Sequence, residues 1–156
     1  MPGVTLDAGG MIALDRNDRR VVVLLARARE TGARVTIPAT ALAQAIRRPD
    51  RQVRLARLVR QPTTDVIALD RVDATNVGRL LAVSGTADIA DAHVVICARR
   101  SEQHIVTSDP DDLRVLDPAV RLIALLQGEP GGGGGQDLGD GRDRPEGVYL
   151  QGQRRG

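Results

Sequence analysis

Aromatic residues are almost missing from this chain: 1% of its 156 residues are aromatic, with no Phe, no Trp and one Tyr, Tyr149. The core must therefore be aliphatic, built from Val, Leu, Ile and Ala, and stacking of nucleobases on Phe, Tyr or Trp is excluded before Tyr149. Lysine is absent as well, so the whole Lys+Arg count of 22 is arginine. Arginine forks suit phosphate, although a genomic preference for Arg would give the same count. Cys97 is the only cysteine, which rules out an internal disulfide framework or a multi-cysteine metal site. It lies in the apolar run Ala92 to Ala98 and reads as a small buried hydrophobe. No stretch approaches the ~20 apolar residues of a membrane span, and no basic segment followed by a long apolar one opens the chain. A soluble, cytoplasmic protein with no membrane partner is expected.

What is present is one domain's worth of chain with 42% hydrophobic residues and a formal net charge of +2, a charge too small to argue for nucleic acid by itself. Composition changes abruptly near Leu126. Residues 1–126 carry the apolar patterning, whereas 127–156 contain the run Gly131 to Gly135 and little that is apolar, so this second segment is expected to be a disordered tail. Within the first segment, short β-type runs alternate with helical periodicity, the signature of βα units around a parallel sheet. Strands are expected at Val4 to Leu6, Arg34 to Ile37, Asp65 to Leu69, His104 to Thr107 and Val120 to Leu122. Helices are expected at Gly10 to Asp15, Asp18 to Glu30, Ala39 to Arg47, Arg51 to Arg60, Val72 to Val83, Ile89 to Arg100 and Pro110 to Leu116, with Gly32 and Gly85 as stops.

In an open parallel sheet, functional groups gather beyond the carboxyl ends of the strands. Asp7 follows the first strand and Asp109 the fourth; Asp88 and Asp91 open a helix three residues apart, and Asp112 stands in the same relation to Asp109. Carboxylates held together raise one another's pKa unless a cation neutralises them. A hard divalent ion such as Mg²⁺ suits an all-oxygen set, and no Cys/His cluster points to zinc. Such an ion activates water or stabilises charge on a phosphoryl oxygen. Each acid also has a structural reading: Asp109-Pro110 looks like an N-cap followed by a first-turn proline, and Asp88 and Asp91 like first-turn acids.

The segments Leu6-Asp7-Ala8-Gly9-Gly10, Asp88-Ile89-Ala90-Asp91-Ala92-His93 and Val106-Thr107-Ser108-Asp109-Pro110-Asp111-Asp112-Leu113 together resemble the three acidic motifs of PIN-domain ribonucleases, in the expected order. The resemblance spans Val4 to Leu116. It implies a three-layer α/β/α domain with a central, mostly parallel sheet and an endoribonuclease dependent on Mg²⁺ or Mn²⁺. Many small bacterial members are VapC toxins neutralised by a VapB antitoxin, and homodimers are common among them. The resemblance makes Asp7, Asp91 and Asp109 catalytic metal ligands, with Asp88 and Asp112 as auxiliary acids. One position departs: where such proteins usually carry a glutamate after the second strand, this chain has Gln44. Glutamine keeps an acceptor oxygen but loses a charge, which lowers metal affinity.

Arg47, Arg48, Arg51, Arg54, Arg57 and Arg60 recur mostly at spacings of three, which suggests a basic stripe along one helix that would hold an RNA backbone; the first four are the candidate RNA-binding residues. A solvated helix face explains the same spacing. His93 lies two residues beyond Asp91 and reads as structural. The apolar faces Val21 to Leu25 and Leu80 to Val83 suit core, dimer seam or partner groove. The leading expectation is metal-dependent RNA cleavage by the toxin of a toxin–antitoxin pair. A PIN-like module that binds RNA or protein without cleaving is the alternative favoured by Gln44, and a phospho-accepting receiver domain is disfavoured because it wants a strand-end lysine.

Overall fold

The computed structural model describes residues 2–125; the expected tail at 127–156 lies outside the described residues. Five strands, β1 (Val4–Leu6), β2 (Val35–Pro38), β3 (Thr64–Ile67), β4 (His104–Thr107) and β5 (Leu122–Ala124), form one sheet in the order β3-β2-β1-β4-β5. Every neighbouring pair is parallel. Seven helices connect and cover them: α1 (Ala8–Asp15), α2 (Arg19–Thr31), α3 (Ala39–Ala45), α4 (Val53–Val59), α5 (Arg71–Ser84), α6 (Ile89–Ser101) and α7 (Pro110–Leu116). The α/β expectation is met.

The chain builds outward from β1 through β2 to β3, then returns to place β4 on the other side of β1. That reversal makes the carboxyl ends of β1 and β4 the switch point of the sheet, where connections diverge and leave a crevice. Thr5 pairs with Ile105 and Leu6 with Val106, so the residues that follow these two strands are neighbours by register.

The central strands are buried on both faces and read as continuous apolar runs: Val4, Leu6, Val35, Ile37, Ile105 and Val106 are all buried. The outer strands β3 and β5 are half-exposed. Met11 and Leu14 of α1, Val21 and Ala28 of α2, and Val94, Val95 and Ala98 of α6 close over the sheet. This core contains no aromatic side chain among its members. Cys97 is fully buried and burial pushes its thiol up to about 11, which keeps it protonated and inert.

Helix boundaries follow local chemistry. Asp18, Asp70 and Asp88 cap α2, α5 and α6 through their side chains, and Gly32 (φ 70°) and Gly85 (φ 71°) end α2 and α5 in the left-handed region, where glycine is unstrained. Four expectations shift by more than one residue. α1 starts at Ala8 rather than Gly10, because Asp7 is its N-cap. β3 runs from Thr64 to Ile67, because pairing with β2 ends at Pro38 opposite Ile67. β5 falls at Leu122–Ala124, set by Ile105 opposite Leu122 rather than by Val120. The fourth concerns the arginine stripe. α3 ends at Ala45 and α4 begins only at Val53, so Arg47, Arg48 and Arg51 lie in the connection and only Arg54 and Arg57 are helical. Pro49 disfavours helical backbone at Arg48. The Gln52 side chain then fixes the connection: it accepts from the Arg47 and Arg48 amides (2.9 and 3.1 Å) and donates to the Ala45 carbonyl (2.8 Å).

Of the apolar faces singled out in the sequence, Val21 is core and Val22, Leu24, Leu25, Leu80 and Leu81 pack against it, while Val23 and Val83 face solvent. No single helix among the described residues is long and apolar enough to cross a membrane.

Candidate functional site

Asp7 stands at the end of β1 as the N-cap of α1, buried, its Oδ1 accepting from the Gly10 amide at 2.7 Å. It can sit there because two glycines bring α1 against the end of β4. A Cβ on Gly10 would lie 2.6 Å from the Val106 carbonyl oxygen, and one on Gly9 2.1 Å from the Ser108 hydroxyl. Helix propensity favours Ala over Gly by about 1 kcal/mol, yet Gly10→Ala sets a methyl against backbone. We expect a net loss of about 1–3 kcal/mol on urea denaturation; a variant as stable as wild type would show that the approach is not tight.

Asp109 follows β4 at the N-cap position of α7, but its carboxylate makes no cap bond; its amide instead donates to Thr107 Oγ1 at 2.9 Å. The capping reading is thus not realised, and the carboxylate is left for other work. Asp88 does cap α6, accepting from the Asp91 amide at 2.9 Å. Asp91, one turn in, is the most strongly perturbed of these acids. Its carboxyl is pushed up to about 7, first by burial and then by the charges of Asp88, Asp7, Asp112 and Asp109. Asp7 is raised to about 6, mainly by burial with a contribution from Asp109, against the pull of the Thr107 hydroxyl and the Gly10 and Gly9 amides. The fold therefore brings all five sequence-predicted acids within electrostatic reach of one point. Uncompensated negative charge gathered in this way is what a divalent cation relieves, and the donors are oxygens throughout.

Gln44, on α3, lines with Asp88, Ile89 and Ala90 a hollow of ≈ 430 Å³. It borders the same helix start as Asp91, as the sequence suggested. The predicted RNA-binding arginines lie elsewhere: Arg54 lines, with Arg57, Arg29 and Glu30, a hollow of ≈ 420 Å³, and Arg47, Arg48 and Arg51 occupy the α3–α4 connection. The arginines that share a hollow with Asp109 are Arg16 and Arg20.

The sequence reading missed Asp73. It is buried on α5 and receives both arms of the Arg100 guanidinium (2.8 and 3.0 Å) while meeting His93 Nε2 at 3.2 Å. His93 Nδ1 lies 2.8 Å from Thr40 Oγ1. A proton on His93 Nε2 serves the contact with Asp73, and Nδ1 can then accept from the threonine hydroxyl. Hydrogen bonding to Arg100 holds the Asp73 carboxyl below the ordinary range. Asp73, His93 and Cys97 offer ligand atoms within 4.8 Å of one another. They do not fit a metal ion: both Asp73 oxygens are engaged, both ring nitrogens are taken, the thiol is protonated, and a guanidinium occupies the neighbourhood. The group is a structural ion-pair network that ties α3, α5 and α6 together, and it makes His93 structural as expected.

The architecture matches chains from three solved assemblies. One is a VapBC2 complex from Rickettsia felis bound to a promoter DNA fragment, at TM-score 0.59 and 14% identity, covering 78% of this chain and 98% of that one. Another is FitAcB from Neisseria gonorrhoeae, at TM-score 0.53 and 17% identity, covering 77% and 96%. The third is FitAB bound to the IR36 DNA fragment, at TM-score 0.54 and 15% identity, covering 81% and 99%. The chain has a PIN-like fold. At such identities the likeness establishes fold alone. No family profile matches the sequence, and neither does any curated protein. Within this PIN-like domain, Asp7 and Asp109 follow neighbouring strands at the end of the sheet where open α/β folds place their ligands.

Proposed function

We propose that this PIN-like domain is a Mg²⁺- or Mn²⁺-dependent endoribonuclease and the toxin of a VapBC-type toxin–antitoxin pair. What supports the reading is that Asp7 and Asp109 follow the neighbouring strands β1 and β4, and that Asp91 lies within electrostatic reach of both, its carboxyl raised to about 7. In this reading Asp7, Asp91 and Asp109 hold the cation, and Asp88 and Asp112 add charge at its edge. The bound ion supplies Lewis-acid polarisation of the scissile phosphate and of the attacking water. The protein's part is to keep the carboxylates in place before metal arrives: Gly10 fixes Asp7, the α6 cap fixes Asp91, and the free carboxylate of Asp109 completes the set. Preorganisation of this kind is the main contribution a protein makes to phosphoryl chemistry. The solved neighbours are toxin–antitoxin complexes, which supports a VapB-like antitoxin as partner; a homodimer and a cytoplasmic setting accompany that assignment.

Gln44 favours a second reading, a PIN-like module that binds RNA or a protein partner without cleaving. Its amide beside Asp88 leaves the set one negative charge short of a glutamate-bearing site, although the four other acids acting on Asp91 already supply ample charge.

The deciding experiment incubates antitoxin-free protein with structured and unstructured RNAs in Mg²⁺ or Mn²⁺. Cleavage is expected, abolished by EDTA and reduced at least ~10²-fold in Asp7→Asn. Intact RNA under every condition would leave the binding module standing.

A further inference from the structure

Beside the acid cluster lies a hollow of ≈ 450 Å³ lined by Ala8, Gly9, Ile12, Ala13 and Arg16 of the α1 region, Asp18 and Arg20 at the start of α2, Ser108 and Asp109 after β4, and Leu125 after β5. Its volume is in the range of sites for small ligands, ~300–1,000 Å³. Its lining combines an acid of the cluster, Asp109, with two arginines and the apolar side chains of Ile12, Ala13 and Leu125.

The two rim arginines differ. Arg20 is committed to Asp18, its Nη2 2.9 Å from Oδ2 and its Nε 3.3 Å from Oδ1, so its charge is matched locally. Arg16, the exposed C-cap of α1, makes no ion pair with any described residue. Its five donors are left for an anion in the hollow that it shares with Asp109. Gly9 lets α1 lie close against Ser108, because a Cβ there would fall 2.1 Å from the Ser108 hydroxyl.

We propose that this hollow is a nucleotide subsite for single-stranded RNA, with Arg16 gripping the phosphate next to the scissile one and the Ile12, Ala13 and Leu125 floor receiving the sugar and base. The proposal rests on the nuclease reading above and adds the direction in which the strand leaves the metal-binding acids: over α1 toward the α1–α2 turn, not along α4. An acidic cluster repels a phosphodiester strand, so a strand that approaches it needs a cation on the adjoining surface. Among the described residues, Arg16 is the cation without an ion pair that shares a hollow with Asp109. One nucleotide fills the hollow, and its floor lacks an aromatic ring, so the subsite favours no particular base.

The test measures binding of a fluorescent single-stranded RNA by anisotropy in EDTA, where no cleavage proceeds, across a salt series. Arg16→Ala is expected to weaken binding about tenfold at low salt and to reduce the slope of log K against log salt by about 0.7, the value for one phosphate contact on a single strand. Arg121→Ala removes the same charge at the amino end of β5 and is expected to leave the slope unchanged. Ala13→Leu keeps every charge but fills the floor, and is expected to weaken binding without altering the slope. Equal effects of Arg16→Ala and Arg121→Ala, or no measurable binding by wild type, would overturn the subsite. Cleavage in Mg²⁺ is scored separately. Wild-type cleavage with an Arg16-insensitive slope removes the subsite and keeps the nuclease; no cleavage with an Arg16-specific slope does the reverse.

Discussion

Asp91→Asn is expected to raise the melting temperature of the metal-free protein at pH 7.5 by roughly 3–8 °C, a gain of about 1–2 kcal/mol for a domain of this size, while abolishing RNA cleavage. Asparagine keeps the size of the side chain and removes a carboxylate whose ionisation is opposed by burial and by the Asp88, Asp7, Asp112 and Asp109 charges. Asp91 is only partly buried, so solvent screens much of that repulsion, and the expected gain is far below what the shift alone would suggest. A site that destabilises its own apo form in exchange for chemistry is a recurrent bargain in enzymes. Mg²⁺ should then reverse the ranking. Cation at 100 times its dissociation constant adds ~2.7 kcal/mol to wild type and much less to the variant. Thermal melts with and without Mg²⁺ read both effects, and a lower melting temperature for apo Asp91→Asn would show that the acids are not in conflict.

The same two carboxyls fix the pH dependence. In the unfolded chain they titrate near 3.8; folded, Asp7 does so at about 6 and Asp91 at about 7. Between pH 4 and 7 the folded state binds more protons than the unfolded state, so apo stability rises as pH falls through 7 and 6 and levels off near 4. Asp73 acts oppositely. Its folded pKa is depressed, so its contribution is complete above the unfolded value and is lost as pH falls through the folded one. Urea midpoints measured from pH 8 to 3 without divalent ions should therefore pass through a maximum on the acid side of neutrality, and Mg²⁺ should flatten the neutral limb.

Legibility in the sequence tracked locality. Asp7, Asp91 and Asp109 stood out because each sits at a strand end or helix start, and a parallel sheet brings such ends together whatever its details. Gly32 and Gly85 ended helices as expected because φ near 70° is a property of one residue. The arginine stripe misled because a spacing of three is read as helix, whereas Pro49 and the Gln52 side chain decide the backbone there. β5 was displaced because a half-exposed edge strand takes its position from the strand it pairs with, and Val120 donates its amide to Asp117 instead. Arg16 was overlooked because its meaning depends on Asp109, far along the chain. Asp73 was invisible for a stronger reason: its partners lie 20 and 27 residues away on another helix, and no periodicity marks a carboxylate that will be buried.

That buried carboxylate gives the largest expected loss. Removing one partner of a buried ion pair leaves the other uncompensated, which costs ~3–5 kcal/mol. In Asp73→Ala the Arg100 side chain, 52% exposed, can turn toward water, but fully buried His93 cannot and loses the acceptor for its Nε2 proton. We therefore expect about 3 kcal/mol in urea denaturation, at the lower end of that range. Asp73→Asn keeps one acceptor oxygen for the imidazole and should lose about half as much. The consequence extends to the acids. Thr40 on α3 and His93 on α6 are held together by the ring that Asp73 orients, and these two helices carry Gln44 and Asp91. Loosening them should weaken Mg²⁺ affinity even at temperatures where Asp73→Asn remains folded, whereas a substitution at the amino end of β5, such as Arg121→Ala, should not. Unchanged Mg²⁺ affinity in a folded Asp73→Asn protein would confine the network to stability and leave the placement of Asp91 to its own helix cap.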